Sequence, residues 1–149
     1  MRFIIKFIAS AAFLGYFPYI PGTAGTLMGI PIAIAFARMP SFLHFITLIG
    51  FFFASAWFSS LAEKIFKKKD AKEIVIDEVM GYLITMAYLP IYWPYIIGGF
   101  FLFRFFDIVK PYPAKFFDQK VKGGIGVVAD DVVAGLYANL IMQIIKLIF

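Results

Sequence analysis

Residues 41–62 read SFLHFITLIGFFFASAWFSSLA, a run of 22 residues without a charged side chain. About 20 consecutive apolar residues are needed for an α-helix to cross the hydrocarbon core of a bilayer. The run therefore predicts a membrane-spanning helix. It is followed by five lysines, Lys64, Lys67, Lys68, Lys69 and Lys72. Because positive charge accumulates on the cytoplasmic side of membrane proteins, these lysines predict that the helix ends in the cytoplasm.

The composition of the whole chain also predicts a membrane protein. Of its 149 residues, 62% are hydrophobic and only 15% are charged. A water-soluble globule of this composition would leave too much apolar surface exposed to water. The chain has no cysteine and a single histidine, His44, which excludes thiolate metal sites, cysteine nucleophiles and mechanisms that need two histidines. Its length fits one domain over residues 1–149.

Apolar segments on both sides of residues 41–62 predict an all-α, polytopic membrane helix bundle of about four to six helices. Residues 79–89 and 95–106 are separated by two prolines. Each segment would be only about 18 Å long as a helix, so the pair predicts a short or re-entrant hairpin. The other predicted helices are a short interfacial one and two apolar ones, over residues 3–15, 26–37 and 127–149.

Acidic residues stand close to the ends of the predicted helices. Five of the nine lie in three motifs: D-E-V-M-G (77–81), F-R-F-F-D-I-V-K-P (103–111) and G-V-V-A-D-D-V-V-A-G (126–135). If the basic clusters at 64–72 and 104–122 both face the cytoplasm, all three motifs fall on that side. Carboxylates beside a membrane core are costly without partners, and Mg²⁺ prefers oxygen ligands. The convergence therefore predicts a single metal site that handles a phosphate at the bilayer surface.

Each motif also has a structural interpretation. Arg104 and Asp107, at i and i+3 spacing, could simply pair with each other. The segment 21–26 could be an ordinary capped turn before a helix rather than a phosphate cradle. Four acids could act only as helix caps: Asp77, Glu78, Asp130 and Asp131.

A row of residues at i+4 spacing begins at Asp131. It continues through Gly135, Asn139 and Gln143 along the last predicted helix. Residues at this spacing share one face of a helix, so the row predicts a polar seam that faces the inside of the bundle.

Four motifs, read in order, resemble the phosphatidylglycerophosphatase A family. They are P-G-T-A-G-T-L-x-G-I-P at 21–31, D-x₆-D-E-V-x-G from 70, F-R-x-F-D-I-x-K-P-Y-P from 103 and K-G-G-I-G-V-x-A-D-D-V-V-A-G from 122. The likeness covers residues 14–140. The family consists of small Mg²⁺-dependent membrane phosphatases that convert phosphatidylglycerophosphate to phosphatidylglycerol at the cytoplasmic leaflet. The resemblance implies the same reaction here, in a multi-pass protein of the bacterial cytoplasmic (inner) membrane.

The motifs and the resemblance together predict roles for individual residues. Catalytic roles are expected for Asp77, Asp107, Asp130 and Asp131. Mg²⁺ ligands are expected at Asp77, Glu78, Asp130 and Asp131. Substrate binding is expected at Thr23, Thr26, Arg104 and Lys110. The expected partners are the lipid substrate and the membrane, with no nucleic acid, and the sequence gives no prediction of the oligomeric state.

The alternative function is a small ion or proton transporter, which would also carry intramembrane acids. Such a protein should place an acid deep in a long helix. The motif acids here are predicted near helix ends on one side, which favours the phosphatase.

Overall fold

The computed structural model describes the backbone of residues 1–149 and every side chain except that of Asp118. All regular structure of the described residues is helical, as predicted. A short 3₁₀ turn, Leu14–Tyr16, precedes the second helix. The seven α-helices are α1 (Arg2–Ala9), α2 (Pro21–Ala37), α3 (Ser41–Phe66), α4 (Ile76–Met86), α5 (Trp93–Val109), α6 (Ala114–Lys120) and α7 (Gly123–Ile148).

Six of these helices correspond to the predicted segments, and α6 is additional. It has seven residues and packs against α7. The sequence did not reveal it, because seven residues that include three charged side chains are too few to show a helical repeat of apolar positions.

Two helices begin four or five residues earlier than the sequence predicts. α2 begins at Pro21 rather than Thr26, since proline suits the first position of a helix. The expected turn at 21–26 is therefore helical. α7 begins at Gly123 rather than Val127, and Gly123 has a φ of 79°, a left-handed conformation that glycine adopts without strain.

α4 is the central element of the bundle. It packs against α2, α3, α5 and α7, and nine of its 11 residues are buried. Its length of about 16 Å is too short to cross a bilayer. α4 is thus the short member of the predicted hairpin and is enclosed by the other helices, whereas α5, with 17 residues, is about 26 Å long and exceeds the predicted length.

The polar seam of α7 donates hydrogen bonds to backbone carbonyl groups at the buried C-terminal end of α4. Asn139 donates hydrogen bonds from Nδ2 to the backbone carbonyls of Thr85 and Ala87, both at 2.9 Å. Gln143 Nε2 donates to the Ala87 carbonyl at 3.3 Å. The last carbonyls of a helix lack partners within the helix, so these side chains allow a short helix to end inside the bundle.

Glycines bring α7 into backbone contact with two neighbouring helices. A Cβ atom on Gly135 would overlap the carbonyl oxygen of Gly81 on α4, and one on Gly124 would overlap that of Ala56 on α3. The Gly124 N–H also donates to Ser60 Oγ at 2.7 Å. Small residues at such crossings allow helices to approach closely, and here they bring the start of α7 close to α4.

Two helices, α3 and α7, are long and apolar enough to cross a membrane by length and composition. Their 18-residue windows have mean hydropathies of 1.8 and 1.6. Large apolar side chains are exposed along both, among them Phe53 and Trp57 on α3 and Leu136 and Leu140 on α7.

The close α3–α7 crossing makes a prediction about stability. Gly124→Ala should lower the free energy of unfolding by about 1–3 kcal/mol, because the added methyl group overpacks the crossing. The matched control is Gly50→Ala on α3, where an added Cβ meets no atom within 4 Å. There the better helix propensity of alanine should add up to about 1 kcal/mol. Thermal unfolding in detergent measures the stability of both variants. Equal unfolding midpoints for the two would contradict the close crossing of α3 and α7.

Candidate active site

The predicted site residues meet at one end of the bundle, where α2, α4 and α7 begin and α5 ends. Lys110, which follows α5, forms a salt bridge from Nζ to Asp130 Oδ2 on α7 at 2.8 Å. A Cβ atom on Gly22 of α2 would lie 2.9 Å from Glu78 Oε1 on α4 and 3.1 Å from Arg104 Nη1 on α5. Four helices therefore contribute to one site, in agreement with the expected convergence.

Three buried carboxylates form the centre of this site. Asp77, Asp130 and Asp131 each offer one oxygen, and the three oxygens lie within 4.8 Å of one another. The three residues are 5%, 5% and 2% exposed. Asp77 Oδ1, Asp130 Oδ1 and Asp131 Oδ2 form no hydrogen bond with any described residue. Buried anionic oxygens without partners are strongly unfavourable, and three carboxylate oxygens at this spacing could hold a metal ion.

The early start of α7 excludes the capping interpretation for Asp130 and Asp131. They are seven and eight positions beyond Gly123, the first residue of α7, whereas only the first four N–H groups of a helix lack internal partners. Asp77 and Glu78 do lie in the first turn of α4, and the Glu78 carboxyl group accepts a hydrogen bond from its own backbone N–H. The capping interpretation therefore remains for the acids of α4 alone.

Two cations accompany the acids at the end of α5. Arg104 pairs through Nη1 with Oδ2 of Asp107, the i, i+3 contact that the sequence allowed. Lys110 ends α5 in a left-handed conformation with a φ of 50°, and its ammonium group contacts Asp130. The site contains five carboxylates, those of Asp77, Glu78, Asp107, Asp130 and Asp131. Against two cations, they leave a formal excess of three negative charges when all are ionised.

Glu78 contacts both the acid group and α2. The mutually close carboxylates are those of Asp77, Asp130 and Asp131, and the side chain of Glu78 lies within hydrogen-bond reach of Asp77. Its Oε1 also faces the first turn of α2 and Arg104, and its role as a metal ligand stays a prediction.

The two threonines of α2 also differ in position. Thr26 is fully buried, and its Oγ1 donates to the Gly22 carbonyl at 2.8 Å. Its hydroxyl proton is thus used within α2, because the segment 21–26 is helical, and the substrate contact expected of Thr26 stays a prediction. Thr23 instead lines a cavity of about 350 Å³ together with Glu78 and Arg104.

The sequence predicted no site role for several residues of this cavity, among them Lys72 and Gly22. Lys72 lines it, but in the sequence it was part of a lysine-rich stretch explained by membrane orientation. Gly22 forms its wall beside Glu78 and Arg104, and its place in the P-G-T-A-G-T motif was the available signal.

Comparison with known proteins gives one family for the chain. The sequence matches the family described as Phosphatidylglycerophosphatase A over residues 7–146. A phosphatidylglycerophosphatase A of Haemophilus influenzae is 36% identical over 131 residues, which cover 85% of this chain and 78% of the relative. That of Escherichia coli is 33% identical over 132 residues, 88% of this chain and 77% of the relative.

A third relative carries a different name. A protein of Bacteroides thetaiotaomicron, provisionally named as a phosphatidylinositol-3-phosphatase, is 35% identical over 141 residues, 89% of this chain and 87% of its own. No solved structure is significantly similar to this chain. The family match includes every residue of the site described above. On this match and the two relatives that carry the family's name, the chain belongs to the phosphatidylglycerophosphatase A family.

Proposed function

We propose that the protein is a Mg²⁺-dependent lipid phosphatase that hydrolyses the terminal phosphate monoester of phosphatidylglycerophosphate and releases phosphatidylglycerol. The observation that carries the metal part of this proposal is the group of three buried carboxylates with unpartnered oxygens. The names of the two phosphatidylglycerophosphatase A relatives supply the substrate. Because Asp130 and Asp131 lie inside the long helix α7, distance from a helix end does not separate the phosphatase from a transporter. The phosphatase is favoured instead because the five acids gather around one site rather than along a path through the bundle.

The chemistry of the donors fits Mg²⁺. Asp77, Asp130 and Asp131 would hold the ion, because carboxylate oxygens are its preferred protein ligands and two or three of them suffice. When bound, Mg²⁺ lowers the pKa of coordinated water and offsets negative charge on the phosphoryl oxygens. The ion would also compensate most of the excess negative charge of the site.

The side chains near the acids have distinct tasks in this account. Arg104 offers its remaining N–H groups to the phosphoryl oxygens, while Asp107 holds the guanidinium in place through their salt bridge. The Asp107 side chain also lies within hydrogen-bond reach of Asp131, and its catalytic role stays a prediction. Lys110 fixes the orientation of Asp130. In the reaction a water oxygen bonds to phosphorus, the P–O bond to glycerol breaks, and the leaving glycerol oxygen takes up a proton.

The relatives' names describe two lipids with a common architecture. In phosphatidylglycerophosphate and in phosphatidylinositol 3-phosphate, a phosphodiester joins diacylglycerol to a polyol, and the polyol carries a phosphate monoester. We take this architecture as the substrate class of the present chain, with glycerol as the polyol.

A lipid substrate and the apolar exterior together favour a position within the bilayer. α3 and α7 would cross it, and the lysines that follow α3 would place the acid-rich end in the cytoplasm by the positive-inside bias. Asp131 would then lie about 12 Å along α7 from its first residue. The substrate's monoester must therefore insert between helices to be hydrolysed. For a bacterial protein, the membrane is the cytoplasmic one.

The acid group can be tested by isosteric substitution. Asp77→Asn, Asp130→Asn or Asp131→Asn should each lower kcat/KM for phosphatidylglycerophosphate by at least about 100-fold, because losing a metal ligand costs more than the 10- to 100-fold typical of groups that support ligands. Glu63→Gln, at the end of α3, should lose less than about 3-fold. The measurement is Mg²⁺-dependent phosphate release in detergent, and full activity after chelation would contradict the metal assignment.

Thermal unfolding separates a metal ligand from a structural residue. Without Mg²⁺, Asp131→Asn should be at least as stable as the wild type, because it removes one of three mutually repelling buried charges. Added Mg²⁺ should raise the midpoint of the wild type and not that of the variant, since only the folded wild type binds the ion tightly. A variant destabilised in both conditions would indicate a structural role.

The proposed orientation can be tested by chemical labelling. The chain has no cysteine, so Lys68→Cys and Lys120→Cys each introduce a unique thiol. Both should react with a membrane-impermeant maleimide only from the cytoplasmic side, because both lie at the acid-rich end of the bundle. Labelling of the two from opposite sides would contradict a single cytoplasmic site.

A further inference from the structure

The cavity beside the acids extends from half-buried to exposed residues. Glu78 and Arg104 are half-buried, whereas Tyr19 and Lys72 are exposed, and all four line it. Its volume of about 350 Å³ falls within the range of about 300–1,000 Å³ that is usual for small-ligand sites. The cavity therefore connects the inside of the site with the surface of the protein.

The lining combines two cations, Lys72 and Arg104, with the carboxylates of Asp70 and Glu78. The structure records no ion pair between Lys72 and another described residue, whereas Arg104 is paired with Asp107. Glu78 offers carboxylate oxygens, and its Oε2 has no hydrogen-bond partner among the described residues. Thr23 adds a hydroxyl group. Such a lining suits a ligand with both hydroxyl donors and an anionic group.

Gly22 keeps this cavity open next to the acids. A Cβ atom there would lie 2.9 Å from Glu78 Oε1 and 3.1 and 3.3 Å from the two Nη atoms of Arg104. Any larger residue would push these two side chains away from α2. The wall of the cavity is thus formed by backbone at the point where a ligand would pass toward the acids.

The identity of the ligand is inferred from the proposed function, and the inference rests on that function. With the monoester at the acids, the adjoining glycerol and then the phosphodiester must occupy the neighbouring space. The glycerol hydroxyl can donate to Glu78, and the phosphodiester needs a cation nearer the surface. We infer that Lys72 binds the phosphodiester of the lipid headgroup, so that the cavity selects lipids in which a polyol separates two phosphates.

Inhibition by two partial ligands tests this second phosphate subsite. Phosphatidylglycerol carries the diester without a monoester, and inorganic phosphate resembles the monoester alone. Lys72→Gln should raise the KM for phosphatidylglycerophosphate and the Ki of phosphatidylglycerol by about 10-fold, in line with the loss of one charge-assisted hydrogen bond. The kcat and the Ki of inorganic phosphate should change by less than about 2-fold.

Two further variants serve as controls, one that keeps the positive charge at position 72 and one that removes a lysine elsewhere on the surface. Lys72→Arg retains the cation and should restore both constants to within about 3-fold of the wild type. Lys68→Gln removes a lysine that lines a separate cavity at the end of α3, and it should leave all four constants unchanged. The inference would be overturned if Lys72→Gln weakened inhibition by phosphatidylglycerol and by inorganic phosphate equally, or if it weakened neither.

Direct binding separates this inference from the proposed function. Phosphatidylglycerol in micelles of a zwitterionic detergent is titrated against the wild type and Lys72→Gln. If the protein hydrolyses phosphatidylglycerophosphate but both proteins bind phosphatidylglycerol equally, the subsite alone is wrong. If neither protein hydrolyses the substrate while Lys72→Gln binds phosphatidylglycerol about 10-fold more weakly, the proposed reaction is wrong and the subsite stands.

Discussion

The repulsion among three carboxylates in the interior of the bundle is the constraint on which the rest of the structure depends. Asp77, Asp130 and Asp131 are nearly fully buried, and their closest oxygens lie within 4.8 Å of one another. Removing charges from water costs several kcal/mol for each ion. Lys110 compensates for part of this cost at Asp130. In the proposed function, Mg²⁺ would compensate for the other charges, which would link the stability of the bundle to its chemistry.

α4 explains how such a site forms in so small a protein. Its first turn carries Asp77 and Glu78, and its last carbonyls are satisfied by Asn139 from α7. Because α4 is short, its first turn lies inside the bundle rather than at the surface. The contact between Gly81 and Gly135 holds α4 close to α7. The same features that stabilise α4 also place its acids next to those of α7.

Much of this arrangement follows from the sequence, because apolar length and motif spacing are strong signals. The apolar length of α3 and the shortness of α4 were predicted from the lengths of apolar runs, and the polar seam of α7 was predicted from its i+4 spacing. The meeting of the three acidic motifs followed from the distribution of lysines. The roles of the individual acids stay predictions, since no bound ligand identifies them.

The differences between the predicted and the observed helices and site residues have physical causes in particular residues. Gly123 and Pro21 are residues typical of turns, yet each begins a helix here, so α7 and α2 start earlier than predicted. That shift moves Asp130 and Asp131 away from the helix end and commits the hydroxyl of Thr26 to α2. Lys72 joins the site only through the fold, because the segment between α3 and α4 brings it to the cavity beside Arg104. Contacts of this kind depend on tertiary structure, which local patterns do not encode.

The most direct test of the central claim is a crystal structure of the protein with Mn²⁺, which takes the same oxygen ligands as Mg²⁺ and gives an anomalous signal. The account predicts an anomalous peak bonded, at about 2.0–2.3 Å, to carboxylate oxygens of Asp77, Asp130 and Asp131. The same experiment on Asp131→Asn should show a weaker peak or none. An absence of anomalous density among these three residues at saturating Mn²⁺, or a peak bound elsewhere in the bundle, would contradict it.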